Sequence, residues 1–240
     1  MKNTCFICAM SSELAELDNL LGTEKTKYYE ISTGTEISET QAIFIPSKKV
    51  GSSAMYACTK KGKSSLAVIS EYKNNNAIIN TAIGLENAFF SAQLLDLKKY
   101  DLFVNIGTAG AIDKDLKLGE ILSVDTVSII DNGRIHYFKL NNFNNSFKKG
   151  GVLSCKNFAS PQEKRYYSEL FDSQEMNMKA VDMELASLKQ IVPHIMSFKI
   201  ISDEFCEDYD SFCKKFPKFM RTKYPESAKK IFREIEQQNF

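Results

Sequence analysis

The sequence predicts a three-layer α/β/α architecture with a central mixed sheet, and three observations carry that expectation. Short apolar runs recur at Thr4 to Ala9, Ala77 to Asn80 and Leu102 to Asn105, the pattern of strands buried on both faces. Stretches of helical periodicity separate several of these runs, and alternation of that kind places helices on both faces of a parallel or mixed sheet. At 240 residues, 43% of them hydrophobic, the chain can bury a sizeable core without disulfides or metal. It reads as one domain spanning 1–240.

The first run, Thr4 to Ala9, ends at Met10-Ser11-Ser12, and Leu14, Leu17 and Leu21 then mark one face of a helix that either serine can cap. From Tyr28 to Ser70 the pattern is β-like, punctuated by Gly34, Gly51 and Gly62. The Asn74-Asn75-Asn76 run is a loop, Ala77 to Asn80 a brief strand, and Asn87 to Leu97 a helix with Ala88, Ala92 and Leu95 inward. Leu102 to Asn105 is expected to empty into a Gly107-Thr-Ala-Gly110 turn before a second strand begins near Glu120. Strands follow at Arg134 to Leu140 and Val152 to Ser154, with polar Asn141 to Gly151 as a candidate mobile loop. Ser160-Pro161-Gln162-Glu163 is a capping box with proline at the first helical position, opening a helix to about Phe171. Beyond it come a strand from Lys179 to Met183, a helix from Leu185 to Ile191 and a strand from Ser197 to Ile201. The tail after Tyr209 is helical, with interruptions expected at Pro217 and Pro225.

Formal net charge is +1, which excludes a global field favouring nucleic acid or a membrane surface. Six cysteines and no recognisable cleavage pattern in MKNTCFICAM read as free thiols in the cytoplasm. The C-x-x-C of Cys5 and Cys8 lies on a strand, where residues three apart face opposite sides, and His136 and His194 stand alone. No metal and no cofactor are expected.

Three carboxylates stand at the ends of strands: Glu13, Glu184 in VDMELA and Asp203 in IISDEF. Each singly could complement a helix N-terminus or cap a turn. Together they occupy the edge at which loops of an α/β sheet converge and ligands bind.

The set AMSSE (9–13), NTAIG (80–84), NIGTAGAI (105–112), LKLGEI (116–121), VDMELA (181–186) and KIISDE (199–204) resembles the nucleoside phosphorylase/nucleosidase superfamily. Within it the chain looks most like 5′-methylthioadenosine/S-adenosylhomocysteine nucleosidases. The resemblance implies a phosphorylase/hydrolase-like fold and hydrolysis of adenine nucleosides to adenine and the free ribose moiety. It makes Glu13 the residue that activates water and Asp203 the donor of a proton to N7 of the leaving base, with Ser202 beside it. Glu184 would hold the ribose hydroxyls, Met183 would pack on the sugar, and Phe158 with Ala159 would meet the base. Thr81 and Lys199 would stand near the water, where the family carries serine and arginine. A homodimer is the implied assembly and a purine nucleoside the implied partner. Asp113-Lys114-Asp115 replaces a more apolar stretch at the family's 5′-pocket, residues 23–76 are longer than usual, and the segment after Ile130 is shorter.

The chemistry suits these residue types. Breaking an N-ribosyl bond builds positive charge on the ribose and negative charge on the base, which calls for an acid on one side and a carboxylate with water on the other. Two alternatives stand beside hydrolysis. A purine nucleoside phosphorylase needs cationic phosphate ligands at the glycine loops, and none of Arg134, Arg165, Arg221 or Arg233 is placed there. A catalytically inactive nucleoside-binding or interaction protein would keep the fold without the reaction.

Overall fold

Cys5 to Cys8 alternate between the two faces of a buried strand, and that alternation sets the layers. The computed structural model describes residues 3–21, 25–30, 35–37, 42–46, 53–59, 62–72, 76–143, 145–205 and 207–238. Strand β1 (Thr4–Cys8) is buried throughout. Phe6 and Cys8 pack with helix α1 (Ser11–Leu21) and the long C-terminal helix α5 (Tyr209–Gln237), while Cys5 and Ile7 pack with α2 (Leu85–Ala92) and α4 (Leu185–Ile191). Helices thus cover both faces of a mixed sheet, the three layers expected. Cys5 and Cys8 accordingly belong to different cores.

β1 pairs in parallel with β7 (Ala77–Asn80) on one side and β8 (Leu102–Ala111) on the other. Beyond β7 the antiparallel strands β2 (Lys25–Glu30), β3 (Thr35–Ile37), β4 (Ala42–Pro46), β5 (Ser53–Thr59) and β6 (Gly62–Glu71) form the β-rich early region. Gly34, Gly51, Asn74 and Asn75 lie outside the described residues.

On the other side the sheet closes on itself. β8 pairs with β13 (Ile195–Asp203), β13 with β9 (Ile121–Asp131), β9 with β11 (Lys148–Ser154), β11 with β12 (Met178–Asp182), and β12 returns to β8. β10 (Arg134–Lys139) extends β9 as an antiparallel edge. The strand ends of this five-stranded ring carry most of the polar residues considered below.

Four expectations change. The expected Gly107–Gly110 turn is absent, because β8 runs unbroken from Leu102 to Ala111 and pairs with β13 through both glycines. Those glycines serve approach rather than reversal: a Cβ on Gly107 would meet the Lys199 ammonium, and one on Gly110 would meet the Asp203 carboxylate. The expected mobile loop at Asn141 to Gly151 ends in strand from Lys148 on, and Phe143 and Phe147 pack near Phe198. The helix expected over Asn87 to Leu97 occupies Leu85–Ala92, opening after Gly84 at φ 107° and closing in tightened turns from Leu94 to Ser91 and Leu95 to Ala92.

Finally, α5 continues through Pro217 and Pro225 as one helix. Each proline removes a helical hydrogen bond, yet Phe212, Phe216, Phe219, Tyr224, Ile231 and Ile235 bury one continuous stripe against the sheet. Packing over that length outweighs the local propensity. The helix expected at Ser160 spans Pro161–Ser173 as α3, with both capping-box hydrogen bonds present.

Candidate active site

At the ends of β1, β8, β12 and β13 lies a cavity of about 540 Å³. Glu13, Glu184 and Asp203 all line it, together with Met183, Phe158, Ala159, Ser202 and Lys199. Elements distant in the chain supply them: the start of α1, the β12–α4 junction, the end of β13 and the segment before α3.

Glu13 sits in the first turn of α1 and is buried. One carboxylate oxygen accepts from the amides of Ala9 and Met10, each at 3.0 Å, and the other accepts from Thr108 at 2.8 Å. Burial pushes its pKa up, against the opposing pull of these amides and of Lys199. A carboxylate offers about four acceptor positions, so one is left for a further donor.

Glu184 occupies the N-cap position of α4 without capping it. Its side chain instead accepts from the amide of Gly84 at 3.0 Å. Burial first, then the neighbouring Asp182, pushes its carboxyl up to about 7. Asp203 does not cap a turn either. It forms an ion pair with Lys164 of α3, both side chains almost wholly buried, and lies 2.9 Å from the Ser202 hydroxyl. Burial pushes Asp203 up as well, while Lys164 opposes the rise.

Lys199 is buried and bonded to Asp182 at 2.8 Å. Asp182 is further held by the Ser154 hydroxyl at 2.5 Å and the Leu185 amide at 3.1 Å. Asp182, Glu184 and Glu13 together raise the lysine's pKa despite the cost of burial. Thr81 alone of the expected set stands off the cavity wall. Its hydroxyl turns to the carbonyls of Cys8 and Ala82, at 3.3 and 3.1 Å. The adjacent Ala82 adopts φ 57°, in the left-handed region that favours glycine.

Phe158 is half-buried and packs against Tyr209 and Phe212, each ring centroid 5.1 Å away. All three line the cavity and give it an aromatic end close to Asp203. Among the described residues no group of histidine, cysteine and carboxylate side chains could hold a metal ion.

Solved structures share this architecture over nearly the whole chain. A point mutant of the Helicobacter pylori 5′-methylthioadenosine/S-adenosylhomocysteine nucleosidase, with 5′-methylthioadenosine in its active site, matches with a TM-score of 0.66 at 17% identity, covering 99% of this chain and 100% of that one. The corresponding Neisseria meningitidis nucleosidase, in complex with methylthio-immucillin-A, matches at 0.65 and 17%, covering 99% and 100%. Futalosine hydrolase of Helicobacter pylori matches at 0.65 and 16%, covering 99% and 98%. The fold is that of these nucleosidases. No protein-family model matches the chain, and no curated protein matches it in sequence.

Two charged residues of the cavity, Asp182 and Lys164, were not among those the sequence pointed to. Asp182 reads as an ordinary strand-end acid, and only its pairing with Lys199 from another strand reveals its place. Lys164 did leave a signal: it stands three and seven positions before Tyr167 and Phe171, on the inward stripe of α3. A lysine on such a stripe needs a buried partner.

Proposed function

We propose that the protein is a nucleosidase that hydrolyses the N-glycosidic bond of adenine nucleosides of the 5′-methylthioadenosine/S-adenosylhomocysteine type. The observation that carries this reading is the convergence of Glu13, Glu184 and Asp203, from three distant parts of the chain, on one cavity with an aromatic end. In this reading the base lies against Phe158 and Ala159, within reach of Asp203. Ribose hydroxyls donate to Glu184 in its ionised form, and Met183 packs on the sugar.

A water donates to the remaining acceptor position of Glu13 and attacks C1′ as the bond to N9 breaks. Glu13 takes the proton, and the electron pair of the broken bond passes to the base. Asp203 gives its proton to N7, so that the base leaves neutral; burial favours the protonated form this step requires. Lys199 stabilises the paired carboxylates, and Ser202 orients Asp203.

Hydrolysis is preferred to phosphorolysis on electrostatic grounds. Among the described residues the cationic side chains lining the cavity, Lys164 and Lys199, are each bonded to an aspartate, and Glu13 would repel a phosphate brought beside it. The reading extends to a cytoplasmic homodimer. Exposed Ile83 and Phe90, flanking and on α2, offer an apolar surface that a second copy would cover.

The test is product analysis with methylthioadenosine, S-adenosylhomocysteine, adenosine and inosine, with and without phosphate. Free adenine and free sugar without phosphate are expected. Strict phosphate dependence would make the protein a phosphorylase, and binding without base release would make it an inactive binder. Asp203→Asn keeps the shape but cannot surrender a proton, and turnover should fall by about two to four powers of ten with nucleoside binding retained by calorimetry.

A further inference from the structure

Among the described residues, Lys164 is the cavity cation whose partner is the proposed acid. Its side chain is wholly buried on α3, and its ammonium contacts Oδ2 of Asp203, reaches the carbonyl of Glu204 at 3.3 Å and lies 5.5 Å from the centre of the Phe158 ring. It therefore touches both the acid and the aromatic group assigned to the base. We infer that Lys164 is the positioning residue of the acid: by holding Oδ2 it leaves Oδ1 as the oxygen that carries the transferable proton. This inference rests on the nucleosidase reading for its catalytic meaning.

The geometry assigns the oxygens. Oδ2 lies under the ammonium and over Gly110, where a Cβ would come within 2.5 Å of it. Oδ1 faces Ser202, whose hydroxyl has a second acceptor in the carbonyl of Ala109 at 3.4 Å. When Oδ1 carries a proton, Ser202 turns its hydrogen to Ala109. As the C1′–N9 bond breaks and its electron pair moves onto the base, the Oδ1 proton passes to N7. The carboxylate left behind is stabilised by the Lys164 ammonium and by the returning Ser202 hydroxyl.

The charges around Asp203 are few. α3 presents Lys164; the segment after β13 presents Glu207, itself paired with Lys215 of α5 at 2.7 Å; β8 presents only the backbone of Gly110. Tyr209 of α5 lines the same cavity. Burial and Glu207 push the Asp203 carboxyl up, and Lys164 is the principal group pulling it down. An acid works best when its pKa lies near the operating pH, and a burial-weakened acid gains from a cation beside it.

The experiment is a pair of titrations on the full chain. Asp203 is followed by carboxyl-carbon NMR, its resonance assigned with Asp203→Asn, in the wild type, Lys164→Met, Lys164→Gln and Lys164→Arg. The pH profile of kcat/KM for methylthioadenosine is recorded on the same proteins. In the two neutral variants the Asp203 titration and the alkaline limb should move to higher pH by about one unit or more, with kcat down about tenfold or more. Lys164→Arg should restore both. If either folded neutral variant leaves the Asp203 titration unmoved, the inference is overturned, whatever happens to the rate. A shifted titration in a protein whose wild type releases no base would sustain the role of Lys164 and sink the nucleosidase reading instead.

Discussion

The cavity contains two buried lysine–aspartate pairs, and they are built for different ends. At one end Lys199 stands among Asp182, Glu184 and Glu13, and Asp182 is pinned by a hydroxyl, an amide and the ammonium. At the other end Lys164 faces a single carboxylate, Asp203, which has Ser202 as its other partner. The first pair is a charge balance: one cation offsets the cost of ionising several acids in a dry site. In the proposed function the second is the proton site, and the like charge that acts on its carboxylate, Glu207, lies outside the cavity lining. What distinguishes them is the number of carboxylates each lysine serves.

The sharpest way to break the comparison is to remove each ammonium in turn. Lys199→Met leaves Asp182, Glu184 and Glu13 facing one another without a cation, and a loss of about 3–5 kcal/mol is expected. Lys164→Met should cost clearly less, because Asp203 escapes by holding its proton. Urea unfolding of both variants at pH 7 measures the difference. Equal losses would show that the two pairs are structurally equivalent.

A second prediction isolates the crowding at the Lys199 end. In the folded protein Glu184 keeps its proton up to about pH 7, against an ordinary value of 4.5. The folded form therefore binds more protons between those values, and this carboxyl makes stability fall as pH rises through that window. Glu184→Gln cannot ionise and escapes that loss. Relative to wild type it should gain stability between pH 5 and pH 8, by at most about 3 kcal/mol. A constant difference between the two unfolding curves at those pH values would refute the crowding argument.

The two ends also differed in how far the sequence revealed them. The layers were legible, because the apolar run from Thr4 to Ala9 and the apolar stripes of α1 and α2 are local patterns. So was the capping box of α3. The closed ring was not, since nothing in Met178–Asp182 states that it must pair antiparallel with β8. The glycines of β8 read as a turn because local chemistry does not tell a glycine that bends the chain from one that clears space. The prolines of α5 misled for a related reason: the stripe that overrides them acts across the whole helix. Among the site residues, the three carboxylates were named on their positions at strand ends and on the family resemblance. Lys199 was named on the resemblance too, and Lys164 left a trace on the inward stripe of α3, but their pairing with Asp182 and Asp203 emerges only when distant strands and helices meet.

The glycines offer the finest test of the comparison, since each clears space for one pair. A Cβ on Gly107 would lie 3.4 Å from the Lys199 ammonium and 3.6 Å from the nearer Glu13 oxygen, ordinary contact distances. A Cβ on Gly110 would lie 2.5 Å from Oδ2 of Asp203, and both neighbouring atoms of that carboxyl group are 3.1 Å away. Gly107→Ala should therefore change stability by less than about 1 kcal/mol, whereas Gly110→Ala forces Asp203 off its partner and should cost about 1–3 kcal/mol. Because the displaced group is the proposed acid, Gly110→Ala should also lower kcat more than it raises KM. The opposite ranking of the two alanines would mean that the Lys199 end is the tighter of the two. It would leave no steric reason for the glycine beneath Asp203.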